Sequence, residues 1–225
     1  MTEVYLIRHS IKMRVPVTGK THAFDLMQPL SAEGEERAKK LLDFRDLRGA
    51  DFAVASNMSR SLATIRYLIE ADHVPYAIDD RLREMPAWKR LEPRPGEPFQ
   101  PPKWPDPTEH IDGGESILEC RERMNAAIME AVHTHPEQKI LIGSHGRSIG
   151  AYLRGILNDF NNDFVPNMNS PDIFHLSFTG ESLAAYAHIE MSFSLPPRPP
   201  IITSNTLLFK WECCTAWESS WAVFV

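Results

Sequence analysis

Along most of this chain, short apolar and β-branched runs alternate with stretches whose apolar residues recur every third or fourth position. Val4–Ile7 reads as a buried strand, and Ser31–Phe44 as a helix with Ser31 at its N-cap. Phe52–Ser56 is a second strand, followed by a helix over Ser59–Glu70 that carries Leu62, Ile65, Tyr67 and Leu68. Tyr76–Asp79 predicts a short strand. A helix over Glu115–His133 follows Gly113-Gly114, with Ile117, Met124, Ile128 and Val132 on one face. Lys139–Gly143 is another strand and Arg147–Leu157 another helix. Ile173–Phe178 and Leu183–Glu190, joined across Thr179-Gly180-Glu181, predict an antiparallel hairpin. This rhythm predicts an α/β fold: a three-layer α/β/α sandwich with a mostly parallel central sheet and an antiparallel edge strand.

Two regions break the rhythm. Eight prolines fall between Met85 and Asp112, which excludes a continuous helix or central strand there. We read 85–112 as a Pro-rich lid loop within a domain spanning 1–191. The remaining 192–225 is a Pro/Trp-rich C-terminal extension, with Trp211, Trp217 and Trp221 close together near its end.

Composition narrows the partners. The net charge of −6 comes without any dense lysine or arginine run, which argues against a nucleic-acid or membrane-surface partner. No apolar stretch approaches the about 18 residues of a membrane span. Cys120 is isolated and Cys213 and Cys214 are adjacent, so neither a disulfide framework nor a Cys-x-x-Cys metal site can be written. With acidic Glu3 and no basic lead-in, the start does not read as a signal peptide. The expectation is a soluble, cytoplasmic protein with no cofactor and no metal. A homodimer is left open.

In parallel sheets, ligand sites lie beyond the carboxyl ends of the strands. Three strands here deliver polar residues at that end: Arg8-His9-Ser10, Ser56-Asn57-Met58-Ser59-Arg60 and Ser144-His145-Gly146. A phosphate monoester needs its dianion held while attacking and leaving groups lie in line. Arg8 and Arg60, with helix N-terminal amides after Arg60 and His145, would make such a cradle. A neutral imidazole is a competent nucleophile, a second can hydrogen-bond the developing charge, and a carboxyl must protonate the leaving oxygen. Glu84, in Arg81-Leu82-Arg83-Glu84, is the best placed for that last task, with Glu92, Glu97 and Glu109 as competitors.

These residues resemble the histidine phosphatase, or phosphoglycerate mutase-like, superfamily. Its strand ending in Arg-His-Gly is matched by Arg8-His9-Ser10, and its Pro-Leu-(Ser/Thr)-x-x-Gly helix start by Pro29-Leu30-Ser31-Ala32-Glu33-Gly34. Ser56, Arg60 and Thr64 match a Ser-x-x-x-Arg-x-x-x-Thr segment. Gly113-Gly114-Glu115-Ser116 followed by Arg121, and Ser144-His145-Gly146, complete the series. The resemblance implies His9 as the phosphorylated histidine, Arg8 and Arg60 as the phosphate grip, His145 as the second pocket histidine and Glu84 as proton donor. Ser10 and Gly146 join the expected phosphate-binding set. Ser10 replaces the family's glycine, while Lys12 and Val15 stand where Thr or Ser and Asn are common.

The leading expectation is a phosphomonoester phosphatase acting on a phosphorylated small molecule through phospho-His9. A cofactor-dependent phosphoglycerate mutase is an alternative, weakened because Met13-Arg14-Val15-Pro16 lacks its Trp-Asn pair. A non-catalytic phospho-ligand-binding module is another. His133 and His135 read as solvated rather than metal-binding. Lys12 and Arg14, like Trp88 and Trp104, are most simply surface or packing residues.

Overall fold

The computed structural model describes residues 1–13, 22–86, 106–110, 114–157 and 168–191, with no side-chain account of 22–24. The expected C-terminal extension and most of the expected lid lie outside these residues, as do Arg14, Val15, Trp88, Glu92, Glu97 and Trp104. Among the described residues, six strands form one sheet in the order β3-β2-β4-β1-β5-β6. They are β1 (Thr2–Arg8), β2 (Phe52–Ser56), β3 (Tyr76–Asp79), β4 (Lys139–Ser144), β5 (Asp172–Thr179) and β6 (Ser182–Ile189). β3, β2, β4 and β1 run parallel, whereas β5 is antiparallel to β1 and β6 antiparallel to β5. The antiparallel edge is thus a two-stranded hairpin, turning at Gly180 with φ 58°, a left-handed conformation that suits glycine.

Among the described residues, five α-helices accompany the sheet: α1 (His22–Met27), α2 (Ala32–Lys39), α3 (Ser59–Asp72), α4 (Ile117–Thr134) and α5 (Gly146–Ile156). Strand alternation separates two faces. Val4, Leu6, Val54, Ile140 and Ile142 share one buried cluster with Met124 and Ile128 of α4 and Ile149 and Leu153 of α5. On the opposite face Gly143 abuts Ser61 and Ile65 of α3, so close that a Cβ there would lie 2.8 Å from the Ser61 hydroxyl. The result is the expected three-layer arrangement. Each fully buried Leu, Ile or Val in it contributes about 1.5–3 kcal/mol.

Two local expectations shift. The helix expected over Ser31–Phe44 stops at Lys39 and tightens into 3-10 turns at Lys40–Asp43 and Arg45–Leu47. Leu41 and Leu47 are both fully buried. Six positions apart, they would diverge on a continuous α-helix; the turns and the extended Phe44 between them bring both inward. The other change is α1, a short helix with too few apolar positions to register as periodic. The second long helix begins at Ile117, where Ser116 and Glu119 cap each other reciprocally. No helix among the described residues is long and apolar enough to cross a membrane.

Candidate active site

Strand pairing brings the two histidines together. Arg8 of β1 is in register with Ser144 of β4, and the His9 amide donates to the Ser144 carbonyl at 2.9 Å, so His9 and His145 leave adjacent strand ends side by side. Their ring centroids are 5.1 Å apart. Ser56, ending β2 on the other side of β4, meets His145 Nε2 through its hydroxyl at 2.9 Å. His9 Nδ1 lies 2.6 Å from the Ser10 carbonyl. A carbonyl only accepts, so Nδ1 carries the proton and Nε2 keeps the lone pair.

Glu84 arrives from the far edge of the parallel strands. After β3, a 3-10 turn at Asp80–Leu82 leads to Arg83 and Glu84. Arg123 of α4 holds this segment by donating to the carbonyls of Arg81 and Arg83 at 2.5 and 2.9 Å, while Glu115 grips its guanidinium. Glu84 Oε1 accepts from the Met85 amide at 3.0 Å and from the Ser148 amide, in the first turn of α5, at 3.2 Å. The carboxylate therefore caps a helix N-terminus whose own N-cap, His145, makes no side-chain cap. A ligand atom from each of His9, Glu84 and His145 lies within 4.8 Å of the other two.

Cations ring this cluster. Arg60 is 1% exposed; its Nη1 donates to the Asp25 carbonyl of α1 at 2.7 Å and its Nη2 meets Met58 Sδ at 3.1 Å. Arg8 Nη1 donates to the carbonyls of Met168 at 2.7 Å and Asn169 at 3.1 Å. Asp172, fully buried below that loop, accepts from the Asn169 amide at 3.1 Å and from His188 at 2.8 Å. Gly146 permits the approach of Arg8, because a Cβ there would sit 3.0 Å from Arg8 Nε. Arg8 Nε, Arg60 Nε and His145 Nδ1 are buried without a protein partner. Buried nitrogens of this kind are costly unless something accepts from them, and a set carried by two guanidiniums and an imidazole suits an oxyanion.

The electrostatics follow. Burial, reinforced by His145 and Arg60, drives the His9 pKa well below its usual value, so the ring is neutral at pH 7. Burial and Arg60 do the same to His145. For Glu84, burial pushes the carboxyl up, but the positive charges of Arg147, Arg8 and Arg60 win and hold it below the ordinary range. The two histidines and Glu84 could also offer three atoms to a divalent metal. The same arginines, directed at those groups, oppose a cation there and favour an anion. Cys120, buried with its thiol pushed up to about 12, is no nucleophile.

The structure thus assembles Arg8, His9, Arg60, Glu84 and His145 at one sheet edge. Ser10 is directed elsewhere: fully buried, it donates its hydroxyl to the Gly34 carbonyl at 2.7 Å, and its amide donates to the Thr64 hydroxyl at 2.9 Å. Its side chain ties the end of β1 to α2 and α3 rather than facing the arginines. Glu109 is exposed. His133 pairs with Glu181 at 2.9 Å and His135 stacks on Phe52, as solvated or packing residues do. Sequence reading passed over Arg147, Ser148, Asp25 and Asp172. Of these, only Arg147 carried a signal, as a cation directly following His145-Gly146.

The sequence model of the histidine phosphatase superfamily (branch 1) matches residues 4–183. A probable phosphoglycerate mutase, GpmB, from Yersinia enterocolitica is 27% identical over 168 residues, covering 70% of this chain and 75% of its own length. Among solved structures, a mycobacterial glucosyl-3-phosphoglycerate phosphatase with inorganic phosphate superposes with a TM-score of 0.62 at 20% identity, covering 84% of this chain and 95% of its own. A phosphoserine phosphatase from Entamoeba histolytica, solved with 3-phosphoglyceric acid, gives 0.58 at 17% identity, covering 83% and 96%.

Proposed function

The chain belongs to the histidine phosphatase superfamily, and on that premise we propose that it is a phosphomonoester phosphatase working through a phosphohistidine on His9. The observation that carries this reading is the buried, neutral His9, its Nδ1 proton committed to the Ser10 carbonyl and its Nε2 lone pair free, within the field of Arg60 and Arg8, each of which keeps a buried nitrogen without a protein partner. Nε2 attacks phosphorus while the two guanidiniums and His145 take up the charge of the equatorial oxygens. Glu84 protonates the leaving alcohol. Its Oε1 is engaged by backbone amides, so Oε2 carries the transferable proton. The carboxyl is ionised in the free protein; an arriving phosphate dianion offsets the arginine field and raises its proton affinity where the proton is needed. In the second half-reaction the Glu84 carboxylate takes a proton from water, which attacks phospho-His9 and frees inorganic phosphate.

Acid-quenched trapping with labelled substrate tests this directly. Wild type should accumulate an acid-labile, base-stable phosphoenzyme that His9→Ala lacks, with p-nitrophenyl phosphate hydrolysis lost in parallel. Hydrolysis by His9→Ala at the wild-type rate would end the proposal. A second reading, phosphoryl transfer between positions of a phosphoglycerate, is favoured by the names of the curated relatives. It predicts interconversion of phosphoglycerates outpacing release of inorganic phosphate.

A further inference from the structure

Arg147 stands at the second position of α5, immediately after His145-Gly146. Its Nε donates to the Met85 carbonyl at 3.0 Å and lies 3.9 Å from Glu84 Oε1. Its two terminal nitrogens have no hydrogen-bond partner among the described residues, and its side chain is 32% exposed. It is thus tethered at one nitrogen, with the rest of the fork reachable from solvent. Its charge acts on Arg8, Arg60, Glu84 and His145 alike, as expected of a cation held beside Glu84.

Position decides which part of a substrate it meets. In-line transfer puts the leaving oxygen opposite His9, and the group that protonates that oxygen marks its exit. Glu84 is that group in the phosphatase reading. The atoms beyond the ester oxygen must then pass Glu84, beside which Arg147 stands. Charge argues the same way. Glu84 is the carboxylate within ion-pair reach of Arg147 among the described residues, and it must be neutral at the moment it donates its proton. Arg8 and Arg60 match the two charges of a phosphoryl dianion. Arg147 is then left without a counter-charge at the site's rim.

We infer that Arg147 is a specificity-determining residue that selects monoesters whose alcohol half carries a second anionic group, a carboxylate or another phosphate, a few bonds from the ester oxygen. The inference rests on the phosphatase reading for the side on which the alcohol leaves. Guanidinium forks recognise both oxyanions in the same planar geometry, so the chemistry named is the second oxyanion.

The test compares matched esters in wild type and Arg147→Gln: 3-phosphoglycerate against glycerol 1-phosphate, which lacks the carboxylate, and propanediol bisphosphate against its monophosphate. Wild type should prefer one or both anionic members, and the two pairs distinguish carboxylate from phosphate. Arg147→Gln should lose at least about tenfold more kcat/KM on the preferred anionic ester than on its neutral partner, the effect of one charge-assisted contact. Equal losses within both pairs would overturn the inference and leave Arg147 as a clamp on Glu84 and Met85. So would a wild type indifferent to the second anion. Should wild type hydrolyse none of the four, the phosphatase reading fails separately. Equilibrium binding of the same esters then decides the inference: a wild-type preference for the anionic members that Arg147→Gln abolishes supports it, and no preference overturns it.

Discussion

Replacing Glu84 by glutamine separates proton donation from every other contribution of that side chain. The amide oxygen can keep the hydrogen bonds that Oε1 accepts from the Met85 amide at 3.0 Å and the Ser148 amide at 3.2 Å, so α5 stays capped and the fold is retained. What is lost is the acid. General acid catalysis contributes about 10²–10⁴-fold, or roughly 3–5 kcal/mol of barrier, when the leaving group departs as an unstable alkoxide. Turnover of an alkyl phosphate should fall by that range. p-Nitrophenolate departs without a proton, so its ester should lose less than about tenfold. KM should not rise, because removing a carboxylate from beside Arg8, Arg60 and Arg147 leaves more positive field for the dianion. Steady-state kinetics on the two esters, with circular dichroism to confirm folding, read all three effects. Equal losses on both esters, or an unchanged kcat with a raised KM, would refute Glu84 as the proton donor.

Three further outcomes follow from the same geometry. Ser10→Ala removes the hydroxyl from the buried Gly34 carbonyl and should cost about 1–2 kcal/mol in denaturant unfolding while leaving kcat near wild type; a collapse of kcat with unchanged stability would return Ser10 to the phosphate cradle. Gly146→Ala brings a Cβ within 3.0 Å of Arg8 Nε and 3.2 Å of its Cζ, displacing a side chain rather than backbone. It should weaken inorganic phosphate binding roughly threefold to tenfold with little change in melting temperature, and a tighter Kd would contradict the role given to Arg8. His9 and His145 are both held neutral by burial, so between their lowered folded pKa values and about 6.5 the unfolded chain binds more protons than the folded one. Stability should therefore be fully present above about pH 6.5 and decline as pH falls below it. His9→Asn should flatten part of that slope, and an unaltered slope would show that His9 is not a neutral buried base.

Much of the fold was legible because its signals are local. The period of Val4–Ile7 and Lys139–Gly143, the Ser31 cap and the Thr179-Gly180-Glu181 turn depend on neighbours a few residues away, and each stands where the pattern put it. The break of the helix after Lys39 was not legible. It depends on Leu41 and Leu47 reaching a common core, which no local preference records. The site divides along the same line.

Arg8, His9, Arg60, Glu84 and His145 could be named from sequence because parallel strands place the residues after them on one edge. That rule needs only the order of the elements. Sequence also determined the residue types capable of holding and attacking a phosphoryl group. The tertiary structure alone decided how each behaves. Ser10 sits at the right strand end, yet its hydroxyl is turned to Gly34. Arg147 gained meaning only when folding placed it 3.9 Å from a carboxylate distant in the chain. Glu84 is anionic in the free protein, because three arginines from three elements outweigh its burial. Hydrogen-bond direction, burial and summed charge arise between elements far apart in the chain. No local pattern can encode them.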